Sequence, residues 1–204
     1  MKNTAPVQYP ITELLAERWS PRAFSDRPVG APMLRQLFEA ARWAASCFGE
    51  QPWSYIVATR DNPGEFQKML ACLVEANQVW AKNAPVLAIS VARSTRVKDS
   101  SPNNHAWHDV GAASASLSIE ATALGLFVHQ MGGFDPKRAR ETFDIPAGYD
   151  AVAAMAIGHP GDPASLPEPL RTRETAPRTR KPTSEFVFSG GWGRTAPFIE
   201  PGAK

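Results

Sequence analysis

The run from Pro85 to Ala92, PVLAISVA, is apolar except for Ser90. A strand with one wet face would carry a polar residue at every second position. This one needs cover on both faces, so the chain has to supply a layer on each side of a sheet.

The rest of the chain offers the covering elements. Ile11, Leu14 and Leu15 predict a short first helix that Pro21 keeps from continuing. Met33, Leu34, Leu37, Phe38 and Ala41 recur at helical spacing behind Pro32, a good first-turn residue, and predict a helix ending near Ala45. WSYIVATR from Trp53 is a β-branched and aromatic strand, and Asp61-Asn62-Pro63 starts a helix carrying Phe66, Met69, Leu70 and Leu73. Ala106 to Leu124 is rich in Ala, Ser and Gly, which let helix axes approach closely, and predicts a central helix. LFVHQM reads as a strand, Asp135-Pro136 caps a short helix to about Phe143, and AVAAMAIGHPG from Ala151 is the last strand. Past Gly161 the composition turns to Pro, Arg, Thr and Glu, and periodicity is lost until EFVFSGGWG. By composition that stretch is a linker, yet Phe186, Phe188 and Trp192 have little use in a solvated tail.

A chain of 204 residues makes one domain with a real core. Its 22 basic and 20 acidic residues leave +2, which indicates neither a nucleic-acid footprint nor a polybasic membrane patch. MKNTAPVQYP lacks the apolar stretch of a signal peptide, and no later run approaches the roughly 18 apolar residues of a membrane span. A soluble, cytoplasmic protein is expected. Cys47 and Cys72 match no metal or redox spacing, so free thiols are the simple reading. His105, His108, His129 and His159 make no HExxH set, and no Walker loop, G-x-G-x-x-G or G-x-S-x-G is present. These absences argue against metal catalysis, a Rossmann-type dinucleotide site and the commonest serine hydrolase layout.

Three distant segments make chemical sense together: Arg18-Trp19-Ser20-Pro21-Arg22, AASCFGEQPW from Ala44 to Trp53, and Arg178-Thr179-Arg180-Lys181. Guanidinium forks suit bidentate phosphate binding. Two arginine clusters from opposite ends of the chain therefore predict one anionic ligand gripped from two sides.

With VHQMGGF at Val128 to Phe134, these segments resemble the nitroreductase family over roughly Ile11 to Gly193. The resemblance implies an α+β fold, a three-layer sandwich with a mostly antiparallel central sheet flanked by helices. Residues 1–162 would form the FMN-binding domain, and 163–204 an arm extending over the partner of a homodimer. It further implies FMN at the subunit interface, NADH or NADPH as a transient electron donor, and a small-molecule electron acceptor such as a nitroaromatic or quinone, served in ping-pong order. Arg18 and Ser20, around Trp19, would hold the phosphate and ribityl end together with Arg178 and Arg180. Arg22 falls beside the N1 and C2 edge, where a fixed positive charge favours the reduced ring. Ser46, Cys47, Gly49 and Gln51 belong to the loop that reaches the flavin from the other subunit. Gln130, Met131, Gly132 and Gly133 match the loop whose backbone packs near N5, where adjacent glycines permit close approach. Asn77 aligns with an amide on the pyrimidine edge, or is helix surface.

This chain departs from the family pattern at Ala45, Cys47 and Gly49, which replace a proline, a serine and an asparagine. The last change removes a side-chain donor. Other readings stay open: RTRETAPRTRK offers several registers, Gln130 to Gly133 also reads as a strand-ending turn, and Cys47 as a small hydrophobe. Arg93 to Asn104 reads as a lid or as a solvated loop. The same scaffold also suits a flavin-dependent dehydrogenase, a dehalogenase, a peptide-modifying oxidase or a flavin carrier.

Overall fold

A computed structural model describes residues 3–199. Strands β1 (Trp53–Thr59), β2 (Val86–Arg93), β3 (Phe127–Met131) and β4 (Tyr149–Gly158) form one sheet in the order β1-β2-β4-β3, with every pairing antiparallel. The helices are α1 (Glu13–Glu17), α2 (Ala31–Arg42), α3 (Pro63–Ala71), α4 (Glu75–Ala81), α5 (Ala106–Ala123), α6 (Pro136–Thr142) and α7 (Leu170–Thr175).

The apolar run is the interior strand β2, and its alternate residues enter two separate cores. Leu87, Ile89 and Val91 pack with Phe66, Met69 and Trp80 from α3 and α4. Val86 and Ala88, on the opposite face, pack with Leu37 of α2 and Ala113 and Leu117 of α5. β4 repeats the division, with Ala154 and Ala156 on the first face and Met155 and Ile157 on the second. The result is the expected three-layer α+β sandwich.

Local signals account for most boundaries. Asn62 accepts the Glu65 amide at 3.4 Å to start α3, and Asp135 accepts those of Lys137 and Arg138 at 3.0 Å to start α6. α2 stops at Arg42, short of Ala45, because Trp43 leaves the helical conformation with ψ of 6°. α7 was not anticipated, and α4 only through the helix-surface reading of Asn77. α4 is held from outside: Val74 N–H, at its start, donates to the Gly133 carbonyl at 3.1 Å.

Beyond β4 the chain returns to its own body. Leu166 is buried and Leu170 packs against the α3 side of the core. After Thr183 a small turn pairs Phe188 with Thr195, while Phe186 and Trp192 face outward. Residues 200–204 of the expected arm, and Met1 and Lys2 of the expected domain, lie outside the described residues. Among the described residues no helix is long and apolar enough to cross a membrane, and no group of three His, Cys, Asp or Glu could hold a metal ion.

Candidate anion site

The turn from Arg18 to Arg22 follows α1 and is fastened to the sheet by its backbone. The Pro21 carbonyl lies 2.8 Å from His129 Nδ1 on β3. A carbonyl can only accept, so Nδ1 carries the proton. Burial lowers the His129 pKa to about 4, the Pro21 bond partly opposes this, and Arg22 lowers it further. The ring is therefore neutral near pH 7, and it rests against Trp80 at a centroid distance of 4.6 Å. On the other side, the Arg22 and Ala23 amides donate to the buried carboxylate of Glu174 on α7.

That docking carries the second arginine cluster to the first. Arg18, Trp19, Ser20, Arg22, Arg178 and Arg180 all line one cavity of about 280 Å³, whose wall holds five arginines and one glutamate. Arg178 is held by main-chain carbonyls: Nη1 donates to Asn3 at 2.7 Å and Ala16 at 2.9 Å, and Nη2 to Arg18 at 2.9 Å. Arg18 and Arg180 are the freer cations. Arg18 makes a long 3.4 Å contact to Ser20 Oγ, and Arg180 donates to the adjacent Thr179 carbonyl at 2.7 Å. None of the ion pairs between described residues involves Arg18, Arg178 or Arg180. Burial, then the like charge of Arg180, lowers the Arg18 pKa, and burial followed by Arg18 and Arg180 lowers that of Arg178. Trp19 also lines the cavity, and its indole N–H is itself shielded from solvent, with no acceptor among the described residues. An excess of cationic donors around one cavity is an arrangement that an oxyanion completes.

The loop from Ser46 to Gln51 is elsewhere. Ser46 Oγ accepts the Gln51 amide at 3.1 Å, and Cys47 N–H donates to the buried Asp109 at 3.0 Å. Phe48, Gly49 and Gln51 have positive φ, which presents the Phe48 ring 85% exposed under the Arg96 guanidinium. Glu50 pairs with Arg93 at 2.8 Å and accepts the Val97 amide at 3.0 Å, so the stretch after β2 is tied to this loop. The loop leads into the edge strand β1, whereas the arginine turn is bonded to β3, the opposite edge. Three strand spacings separate them, roughly 14 Å. One chain does not bring the two segments together.

Of the expected glycine loop, Gln130 and Met131 belong to the end of β3, and Gly132 and Gly133 follow it. The Gln130 side chain turns to α5 and donates to Ser118 Oγ at 3.2 Å, and Met131 is buried. A Cβ on Gly132 would meet nothing within 4 Å, so its backbone borders open space. Asn77, on α4, donates to the Gly133 carbonyl at 2.9 Å, and a Cβ on Gly133 would lie 2.5 Å from that amide nitrogen. Asn77 thus supports the glycine loop.

The nitroreductase family model matches residues 15–159. The chain belongs to the nitroreductase family. An uncharacterized 15.4 kDa protein of Mycolicibacterium smegmatis is 36% identical over 124 residues, 61% of this chain and 82% of that one. An FMN reductase (NAD(P)H) of Bacillus subtilis is 25% identical over 169 residues, 74% of this chain and 66% of that one. A solved structure described as an oxidoreductase containing FMN superposes with a TM-score of 0.89 at 36% identity, over 94% of this chain and 98% of its own.

Two groups that organise this nitroreductase's cavity were not read from the sequence. His129 stands inside VHQMGGF, and its place in that motif was an available signal. Glu174 sits 152 residues from its partner Arg22 in a polar stretch, where nothing local marks it.

Proposed function

We propose that this chain is an FMN-dependent NAD(P)H oxidoreductase, acting as a homodimer on a nitroaromatic, quinone or similar acceptor in ping-pong order. The observation that carries the reading is the cavity where Arg18, Arg22, Arg178 and Arg180 converge, three of them without an ion-pair partner among the described residues. The residues fit a phosphate-bearing flavin. Arg18 and Arg180 would hold the phosphate. Arg22 supplies a fixed positive charge. The open backbone face at Gly132 admits a flat ring at close range. His129 orients the turn while adding no charge of its own near neutral pH.

Bound FMN would supply the redox chemistry, hydride acceptance from a nicotinamide and delivery of reducing equivalents to the acceptor. The chain's part is to bind, orient and set the electrostatics, and no side chain is required as an acid or base.

The separation of the Ser46 to Gln51 loop from the arginine turn supports a site completed by a second copy. Exposed Phe48, Phe186 and Trp192 are consistent with surfaces that such a copy covers. Comparing FMN with riboflavin, which lacks the phosphate, tests the reading. FMN should bind at least about a hundredfold more tightly, the worth of two charge-assisted contacts. Equal affinities would contradict it.

A further inference from the structure

Two titratable groups, the half-buried His129 and the buried Glu174, grip one peptide unit from opposite sides. The Pro21 carbonyl accepts from His129 Nδ1 at 2.8 Å. The N–H of the same peptide, that of Arg22, donates to Glu174, 2.8 Å from Oε1 and 3.0 Å from Oε2. Oε1 also accepts the Ala23 amide at 2.9 Å, while Oε2 lies 4.0 Å from Nη1 of Arg22 itself.

Between residues 167 and 182 Glu174 is the one buried residue, at 2% exposure. An apolar side chain would dock a polar segment at lower desolvation cost. Here the anchor is an acid, four residues before Arg178 and in contact with both backbone and guanidinium of Arg22. Its place in the fold joins two effects. It seats the segment that carries Arg178 and Arg180, and it sets a negative charge against Arg22, the one arginine of the cavity with a carboxylate partner among the described residues.

We infer that Glu174 is a positioning residue of this site: it aims Arg22 and limits how much of that arginine's charge reaches the bound ligand. The inference rests on the reading that the cavity holds FMN. A weaker offset would leave more positive charge at the ring and favour its reduced form, whereas a lost clamp would loosen the cavity.

The two effects separate by substitution. Glu174→Gln keeps one oxygen able to accept both amides, as Oε1 does, and deletes the charge. Glu174→Asp keeps the charge on a shorter arm, and Glu174→Ala removes both. For each purified variant the FMN dissociation constant, the midpoint potential of bound FMN and the thermal midpoint are measured. In E174Q the preference for reduced over oxidised FMN should rise about tenfold, a shift of about 30 mV for a two-electron couple, with the fold retained. E174A should lose FMN affinity at least about tenfold, and E174Q should restore most of it. E174D should keep the wild-type potential with weakened affinity. A folded E174Q with an unshifted potential, or an E174D that shifts as E174Q should, overturns the inference. So does an E174A that binds FMN as the wild type does. If the wild-type chain itself binds no FMN, the reading of the cavity fails before any variant is compared.

Discussion

Arg178 donates through Nη2 to the main-chain carbonyl of Arg18 at 2.9 Å, so one cation of the cavity is held by the backbone of another. Its Nη1 ties down the carbonyls of Asn3 and Ala16. Two arginines two residues apart therefore have different work. Arg178→Ala should lower stability by about 2 kcal/mol, the worth of charge-assisted hydrogen bonds left unmade, and weaken FMN binding with it. Arg180→Ala should weaken FMN about tenfold while the denaturation midpoint stays put. Chemical denaturation and FMN titration of both variants check this, and equal midpoints would place Arg178 among the ligand contacts only.

Arg18 and Arg22 should also separate. Arg18→Ala should mainly lose FMN, by about tenfold or more. Arg22→Ala should retain FMN better and slow its reduction by NAD(P)H, because a positive charge at the ring is missing when negative charge develops. Undiminished reduction rates in both variants, measured by stopped flow, would remove the assignment.

His129 ties stability to pH. Its pKa is about 4 folded against 6.5 for an unperturbed histidine. Between those values the unfolded chain binds the proton more readily. The contribution is therefore complete above about pH 6.5 and is lost as pH falls toward 4. From about pH 7 to about pH 5 the loss is on the order of 2 kcal/mol. His129→Asn retains a donor toward Pro21 but does not titrate. Urea unfolding at the two pH values should show a smaller loss for the variant, and an equal loss would assign the pH dependence to other groups.

Two glycines should respond in opposite ways. A Cβ on Gly161 would lie 2.6 Å from the Phe24 carbonyl carbon, so Gly161→Ala forces backbone apart and should cost about 2 to 3 kcal/mol. Gly132→Ala meets nothing within 4 Å and should leave stability within about 0.5 kcal/mol. Its FMN affinity should nevertheless fall, since the open space there is where the ring is proposed to lie. A Gly132→Ala protein that binds FMN normally would move the ring away from this loop.

Elements whose own residues dictate burial were legible. PVLAISVA had to be an interior strand, and Asn62-Pro63 and Asp135-Pro136 start helices with caps that the structure makes. The bounds of α4, and α7 altogether, were not legible because their hold is tertiary: the Gly133 carbonyl fixes the start of α4, and Glu174 reaches across the chain to fix α7. Four arginines of the cavity, Arg18, Arg22, Arg178 and Arg180, could be named from residue chemistry and motif, and the fifth, Arg173, was not. Their division of labour could not, because it depends on carbonyls of Asn3, Ala16 and Arg18 that carry no side-chain signal.

The most direct test of the central claim is an anaerobic absorption spectrum of the FMN-loaded protein, with NADH and NADPH added in turn. Flavin bands that bleach with either nucleotide, and return when a quinone or nitroaromatic is added, are the expected result. Bands that persist with both nucleotides, or a protein that takes up no FMN, would contradict it.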